Sequence, residues 1–214
     1  MFGVAVTSSS PAVAARCAFA EPGIGAVATQ NITDPSLGPR ILNLLKSQAD
    51  ALEAIETLQS SSDFMSYRQI LVVDNNGGTS IHSGEHTLGV WGEAATMNAA
   101  AAGNLLSNKS VPRTMINAFE ETEASDLHLA DRLMMSLRAG LEAGGEEGPI
   151  HSAGIIVVDK VSWPIVDLRV DWTDACPIDA LDALWALYKP QMNDYVTRAL
   201  DPSSAPSYGV PGDS

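Results

Sequence analysis

Gln69-Ile70-Leu71-Val72-Val73-Asp74-Asn75-Asn76-Gly77-Gly78-Thr79-Ser80-Ile81-His82 combines the features of a β-hairpin in one continuous run. A β-favouring apolar segment stops at two asparagines and two glycines, residues that tolerate the left-handed backbone of a tight turn, and a second β-favouring segment follows. Upstream, Phe2-Gly3-Val4-Ala5-Val6-Thr7 and Gly23-Ile24-Gly25-Ala26-Val27-Ala28-Thr29-Gln30 alternate by twos and predict two more strands. The segment between them carries Pro11 and Glu21-Pro22-Gly23, which favour turns over a long helix. Downstream, residues 153–159 and 165–171 are β-favouring runs around a short connection and predict a second hairpin.

Helical spacing fills the intervals. Ile41, Leu44, Leu45, Leu52, Ile55 and Leu58 predict one amphipathic helix that runs to about residue 59. Met115, Ile116 and Phe119 mark a second, capped by Asn108 or Ser110, and Leu129, Leu133, Met134, Leu137 and Leu141 a third that ends before Gly144-Gly145. Pro177 at a first helical position, with Asp179 and Asp182 behind it, opens a last helix interrupted near Pro190. Residues 89–106, rich in Gly and Ala, fit either a strand with a following helix or a pair of strands. This order lacks the regular alternation of a doubly wound parallel sheet and predicts a layered α+β fold, with one sheet or two left open by periodicity. One domain is expected over residues 1–200, followed by an extended tail at 201–214.

With 26 acidic and 12 basic residues, the net charge of -14 opposes phosphate neutralisation, so no nucleic-acid partner is expected. No stretch approaches the ~20 apolar residues that cross a bilayer, so no membrane partner is expected either. Cys17 and Cys176 stand alone, far from a disulfide framework or a thiolate metal site, and fit reduced thiols in a cytoplasmic protein. His82 and His86 have a metal-compatible spacing but no third ligand, so neither metal nor cofactor is expected.

Polar residues at strand ends and turns are the candidates for binding a small-molecule substrate. Gln30, Asn31, Arg40 and Asn104 offer donors that could orient a carbonyl or carboxylate, with Arg40 able to bind a carboxylate through both guanidinium edges. For any one of them backbone capping and turn stabilisation is the favoured reading, and their joint occurrence is what points to a common pocket. Ser8 and Ser9 join them as candidates, within a Thr7-Ser8-Ser9-Ser10 run that also makes a polar turn. Asp167, Arg169 and Asp171 alternate along one strand and share a face, as a substrate anchor or as a surface charge network. His151-Ser152 resembles a base and nucleophile, but neighbours on a strand point to opposite faces.

Gly3-Val4-Ala5-Val6, Gly25-Ala26-Val27-Ala28-Thr29-Gln30, Asp34-Pro35-Ser36-Leu37-Gly38-Pro39-Arg40, Ala102-Gly103-Asn104-Leu105-Leu106 and Val166-Asp167-Leu168-Arg169-Val170-Asp171 together resemble DUF1028, a family of uncharacterised proteins. Tyr195-Val196-Thr197-Arg198-Ala199-Leu200-Asp201-Pro202 and Pro206-Ser207-Tyr208-Gly209-Val210-Pro211 resemble one branch of it. The resemblance implies a four-layer αββα sandwich like that of N-terminal-nucleophile (Ntn) hydrolases, and hydrolysis of a small amide or related C–N bond. It also implies one strand ahead of Gly3, so the fold is expected without its first strand and the start is expected upstream. Ntn chemistry needs Ser, Thr or Cys with a free α-amine, which Met1-Phe2 does not supply. That gap favours two alternatives, a catalytically inactive small-molecule-binding protein and a structural homo-oligomer.

Overall fold

The computed structural model describes residues 1–210. In chain order its elements are β1 (Phe2–Ser8), α1 (Ala14–Cys17), β2 (Ala18–Glu21), β3 (Gly25–Asn31), α2 (Leu37–Lys46), α3 (Ala51–Ser61), β4 (Arg68–Asp74), β5 (Thr79–Ser83), β6 (Gly92–Thr96), β7 (Ala99–Gly103), α4 (Val111–Glu121), α5 (Leu129–Glu142), β8 (Ser152–Val158), β9 (Val166–Val170), α6 (Pro177–Tyr188) and α7 (Met192–Leu200). They form a mixed α+β fold with antiparallel sheets in the orders β2-β3-β4-β5, β1-β8-β9 and β6-β7.

The hairpin at residues 69–82 forms as β4 and β5, and one side chain holds its turn. Asp74 Oδ1 accepts the N–H groups of Asn76 (2.8 Å) and Gly78 (2.9 Å), while Oδ2 accepts the Ala51 N–H at the start of α3 (3.0 Å). Gly77 is required there: its φ is +82°, and a Cβ would lie 2.2 Å from Asn98 Oδ1.

Period-two alternation then assigns the sheet faces. On β3 and β4, Val27, Ile70 and Val72 pack with Ile41, Leu45, Ile55 and Leu58 of α2 and α3. The opposite face presents Ala26, Ala28 and Leu71 to Val4 and Val6 of β1. Ala153, Ile155, Val157 and Val166 of β8 and β9 pack with Met134, Leu137, Ile178, Leu181 and Trp185 of α5 and α6. The β6-β7 hairpin puts Ala99 and Ala101 under Ile116 of α4 and Ala100 and Ala102 toward β3 and β4.

Several elements differ from the sequence expectation. The helix expected to run to residue 59 is two helices: Gln48 takes a left-handed φ of +73°, and Asp50 caps α3 through Glu53 N–H (2.9 Å) while Glu53 returns the bond to Asp50 N–H (3.1 Å). The turn-rich connection after β1 contains α1 and β2, whose four residues pair with β3 from Ala18↔Ala28 to Glu21↔Gly25. Residues 89–106 resolve as the pair of strands. The break near Pro190 is a 3-10 turn at Lys189–Gln191. Within the tail, the Arg198 guanidinium sits 3.8 Å over the Tyr208 ring and donates to Pro206 O (2.9 Å), which lays residues 206–208 back on α7. Residues 211–214 lie outside the described residues.

Candidate functional site

A cleft of about 1090 Å³ lies between β1, β7, α4, α5 and the inner face of β3 and β4. Its size follows from its side chains: Gly3, Ala5, Ala26, Ala28, Ala99, Ala100, Ala101, Ala102 and Gly103 line it and project little or nothing into it. Met115, Phe119, Leu133 and Leu137 form the apolar wall on the helical side. Polar groups line both ends: Asn75, Asn76, Asn98, Glu120 and Glu123 stand at one, and Ser8, Ser9, Gln30 and Asn104 gather at the other, where β1 ends.

That polar end is built by strand register. β3 and β4 place Gln30 opposite Gln69 on the inner face. Gln30 Nε2 donates to Gln69 Oε1 (2.8 Å) and to Ala102 O (3.1 Å), and Asn104 Nδ2 also donates to Gln69 Oε1 (3.4 Å). Gln69, fully buried, donates in turn to Ser83 Oγ (3.0 Å) and Gly103 O (3.4 Å). These bonds fix the amide orientation, since a flipped Gln30 would set its oxygen against two carbonyl oxygens. Among the described residues neither Gln30 Oε1 nor Asn104 Oδ1 receives a hydrogen bond. The end therefore offers a ligand two carbonyl acceptors held by a saturated amide behind them.

Ser8 and Ser9 complete the same end. Ser9 donates to Glu146 through its N–H (3.0 Å) and its Oγ, and Glu146 bridges to Leu106, two residues from Asn104. Ser8 Oγ accepts the Ser10 N–H (3.0 Å), so the run is a side-chain-closed turn as well as a cleft wall. Asn31 also lines the cleft, but its side chain ties a loop: Nδ2 donates to Tyr67 O (2.7 Å) and His86 O (3.3 Å), and Oδ1 accepts Leu88 N–H (3.1 Å).

Three sequence candidates stand elsewhere. Arg40 lies on the outer surface of α2 and donates weakly to Ser61 Oγ (3.3 Å), because α2 packs on the face of β3 opposite the cleft. Asp167 and Arg169 are exposed on the edge strand β9, where Arg169 pairs with Asp171 (2.9 Å). Gln69 and Glu146 were not among the candidates. A glutamine heading an Ile-Leu-Val-Val strand was a usable signal for the first, whereas Glu146 after Gly144-Gly145 carried none.

The remaining reactive side chains are occupied structurally. Burial pushes the Cys17 thiol above its ordinary pKa, with a contact to Thr33 Oγ1 (3.7 Å) and the charge of Arg16 opposing less strongly. A thiol held protonated is a poor nucleophile. His82 bonds Gln59 and Met65 O (2.8 Å each), and no metal-ligand cluster occurs among the described residues. His151 bonds Thr173 O (2.8 Å) and stacks on Trp172 at 4.1 Å, while buried Ser152 donates to Ser10 O (2.6 Å). The two neighbours thus face different partners, as strand alternation requires. No helix among the described residues is long and apolar enough to cross a membrane.

The chain is similar in structure to a protein from Silicibacter pomeroyi whose crystal structure was solved as a DUF1028 member, with a TM-score of 0.79, 27% sequence identity, and coverage of 87% of this chain and 82% of that one. No curated protein matches the chain. The model of the family of unknown function DUF1028 matches residues 1–181, and the chain belongs to that family.

Proposed function

We propose that the polar end of the cleft binds a small amide or related C–N compound and that the protein hydrolyses it by N-terminal-nucleophile chemistry. The observation that carries this reading is the pair of undonated carbonyl oxygens, Gln30 Oε1 and Asn104 Oδ1, beside the Ser9–Glu146 pair. Carbonyl acceptors at the neck of an apolar cleft suit the N–H groups of an amide and leave its carbonyl carbon open to attack. The three cores support a helix–sheet–sheet–helix order of the Ntn-hydrolase kind: α2 and α3 on β3 and β4, those strands on β1, and β8 on α5 and α6.

The chemistry needs a hydroxyl or thiol on a residue whose own α-amine takes the proton. The serine hydroxyls near the cleft are already engaged, Ser8 Oγ by Ser10 N–H, Ser9 Oγ by Glu146 and Ser152 Oγ by Ser10 O. That engagement favours a second reading, a non-catalytic receptor for the same ligand class. A β-lactone probe followed by peptide mapping of the natural protein separates them. Labelling of an N-terminal hydroxyl or thiol supports hydrolysis; labelling of Cys17 alone, or none, leaves the receptor.

A further inference from the structure

The sheet β1-β8-β9 stops at β9, and no described strand pairs with the outer edge of Val166–Val170. α6 runs above that edge. α5 packs on β1 and β8 while α6 packs on β8 and β9, and Arg138 of α5 holds Asp179 (2.8 Å) and Asp182 (3.5 Å) on one side of α6. The side of α6 turned away from α5 therefore overhangs the free edge of β9. Ala180, Ala183, Leu184 and Leu187 recur there at helical spacing, roughly a third of a turn from the side that carries buried Ile178, Leu181 and Trp185. The helix is thus apolar on two sides, and only one is covered. Beneath it Leu168 and Val170 are half-buried, because their packing ends with the sheet.

We infer that the β9 edge and this side of α6 form a two-fold interface with a second copy of the chain, in which β9 pairs antiparallel with the partner's β9 and the two α6 helices pack antiparallel above them. Charge identifies the occupant. The register that pairs all five residues of β9 is centred on Leu168, and it sets Asp167 opposite the partner's Arg169 and Arg169 opposite the partner's Asp167. Both side chains are exposed, and among the described residues Asp167 has no ion pair and Arg169 pairs only with Asp171 of its own strand. A charged edge guards against pairing when like charges meet across it; here the centred register brings unlike ones together twice.

The spacing of the layers agrees with the charges. With strands about 4.8 Å apart, β9 lies about 2.4 Å and β8 about 7.2 Å from the two-fold axis, so an α6 seated over both stands about 4.8 Å from it. The two α6 axes are then about 9.6 Å apart, within the roughly 8–10 Å of packed helices. An antiparallel pair centred between Ala183 and Leu184 sets each leucine against an alanine: Leu187 meets the partner's Ala180, and Leu184 the partner's Ala183. Exposed Trp163 and Trp172 flank β9, and antiparallel pairing brings Trp172 near the partner's Trp163, an aromatic contact at each end of the interface. No residue of β9 lines the cleft, so the interface does not depend on what the cleft binds.

Sedimentation equilibrium on the full chain is the test, at concentrations up to about 100 µM because one strand and one helix per chain make an interface at the small end of specific contacts. The unmodified chain is expected to approach twice its 22.5 kDa mass. Arg169→Asp sets like charges across the axis and is expected to weaken dimerisation at least about tenfold, as is Leu187→Asp on α6. The reciprocal pair, Asp167→Arg with Arg169→Asp, is expected to bring the dissociation constant back to within about threefold of the unmodified chain. All three side chains are exposed, so the fold is kept in each variant. A monomer throughout, a dimer indifferent to Arg169→Asp or to Leu187→Asp, or a reciprocal pair no better than Arg169→Asp alone would each overturn the inference.

Discussion

The two helical faces of this protein pack against strands in opposite ways. Where α2 and α3 cover β3 and β4, Ile41, Ile70 and Val72 are wholly buried and the contact is built of branched aliphatic side chains. Where α4 and α5 approach β1 and β7, the strands answer with Gly and Ala, and a cleft of about 1090 Å³ remains. Helix and strand geometry are alike on both sides, so side-chain volume decides which side is sealed and which can hold something else. Stability is expected to concentrate on the sealed side and binding on the open one.

That contrast can be broken by mutation. The largest effect is expected from Ile70→Ala, which removes a fully buried side chain from a closed core and should cost about 4 kcal/mol in urea unfolding. Asp74→Ala should follow at about 3 kcal/mol, since three N–H groups in the β4-β5 turn and at the α3 start lose a charged acceptor together. A cost for either below that of an exposed substitution would dissolve the distinction between the two sides.

A smaller effect is expected at the start of α5, where His128 lies against Trp185. His128 caps α5 by accepting Ala130 N–H at Nδ1 (3.1 Å), and burial holds its pKa below the ordinary value despite the opposing charge of Asp131. The folded state therefore favours the neutral ring, while the unfolded chain takes up a proton below about pH 6.5. The contribution is full above that pH and is lost as pH falls through the lowered folded value. His128→Asn keeps a capping acceptor without the titration. It is expected to flatten the fall in stability between pH 7.5 and pH 5.5 by up to about 1 kcal/mol. The smallest effect belongs to Met115→Ala, at about 1 kcal/mol, because that side chain already borders open space and its removal adds no new cavity penalty.

How much of this was legible in the sequence differed between the same two regions. The β4-β5 hairpin was plain, because Asn and Gly announce a turn locally and strong β-formers flank it. The helix break at Gln48 was not, because apolar periodicity continues through it and only the Asp50–Glu53 capping box marks the restart. β2 escaped because four residues of alternating Ala, Phe, Ala and Glu carry too little signal. At the site, Gln30, Asn104, Ser8 and Ser9 came together, since each ends a strand or opens a turn at the same edge. Arg40 and Arg169 carried the better chemistry on paper, yet a helix on the outer face and an edge strand hold them away. Long-range register brought Gln69 opposite Gln30, and no local pattern reports that.

The central claim is that Gln30, Gln69 and Asn104 form a built acceptor site for small amides. Its most direct test is a heteronuclear NMR titration with simple primary carboxamides, following the side-chain amide resonances of those three residues and the Ser9 backbone amide. The account predicts saturable shifts confined to that group. Unmoved resonances there, with shifts instead along residues 167–171 or nowhere, would contradict it.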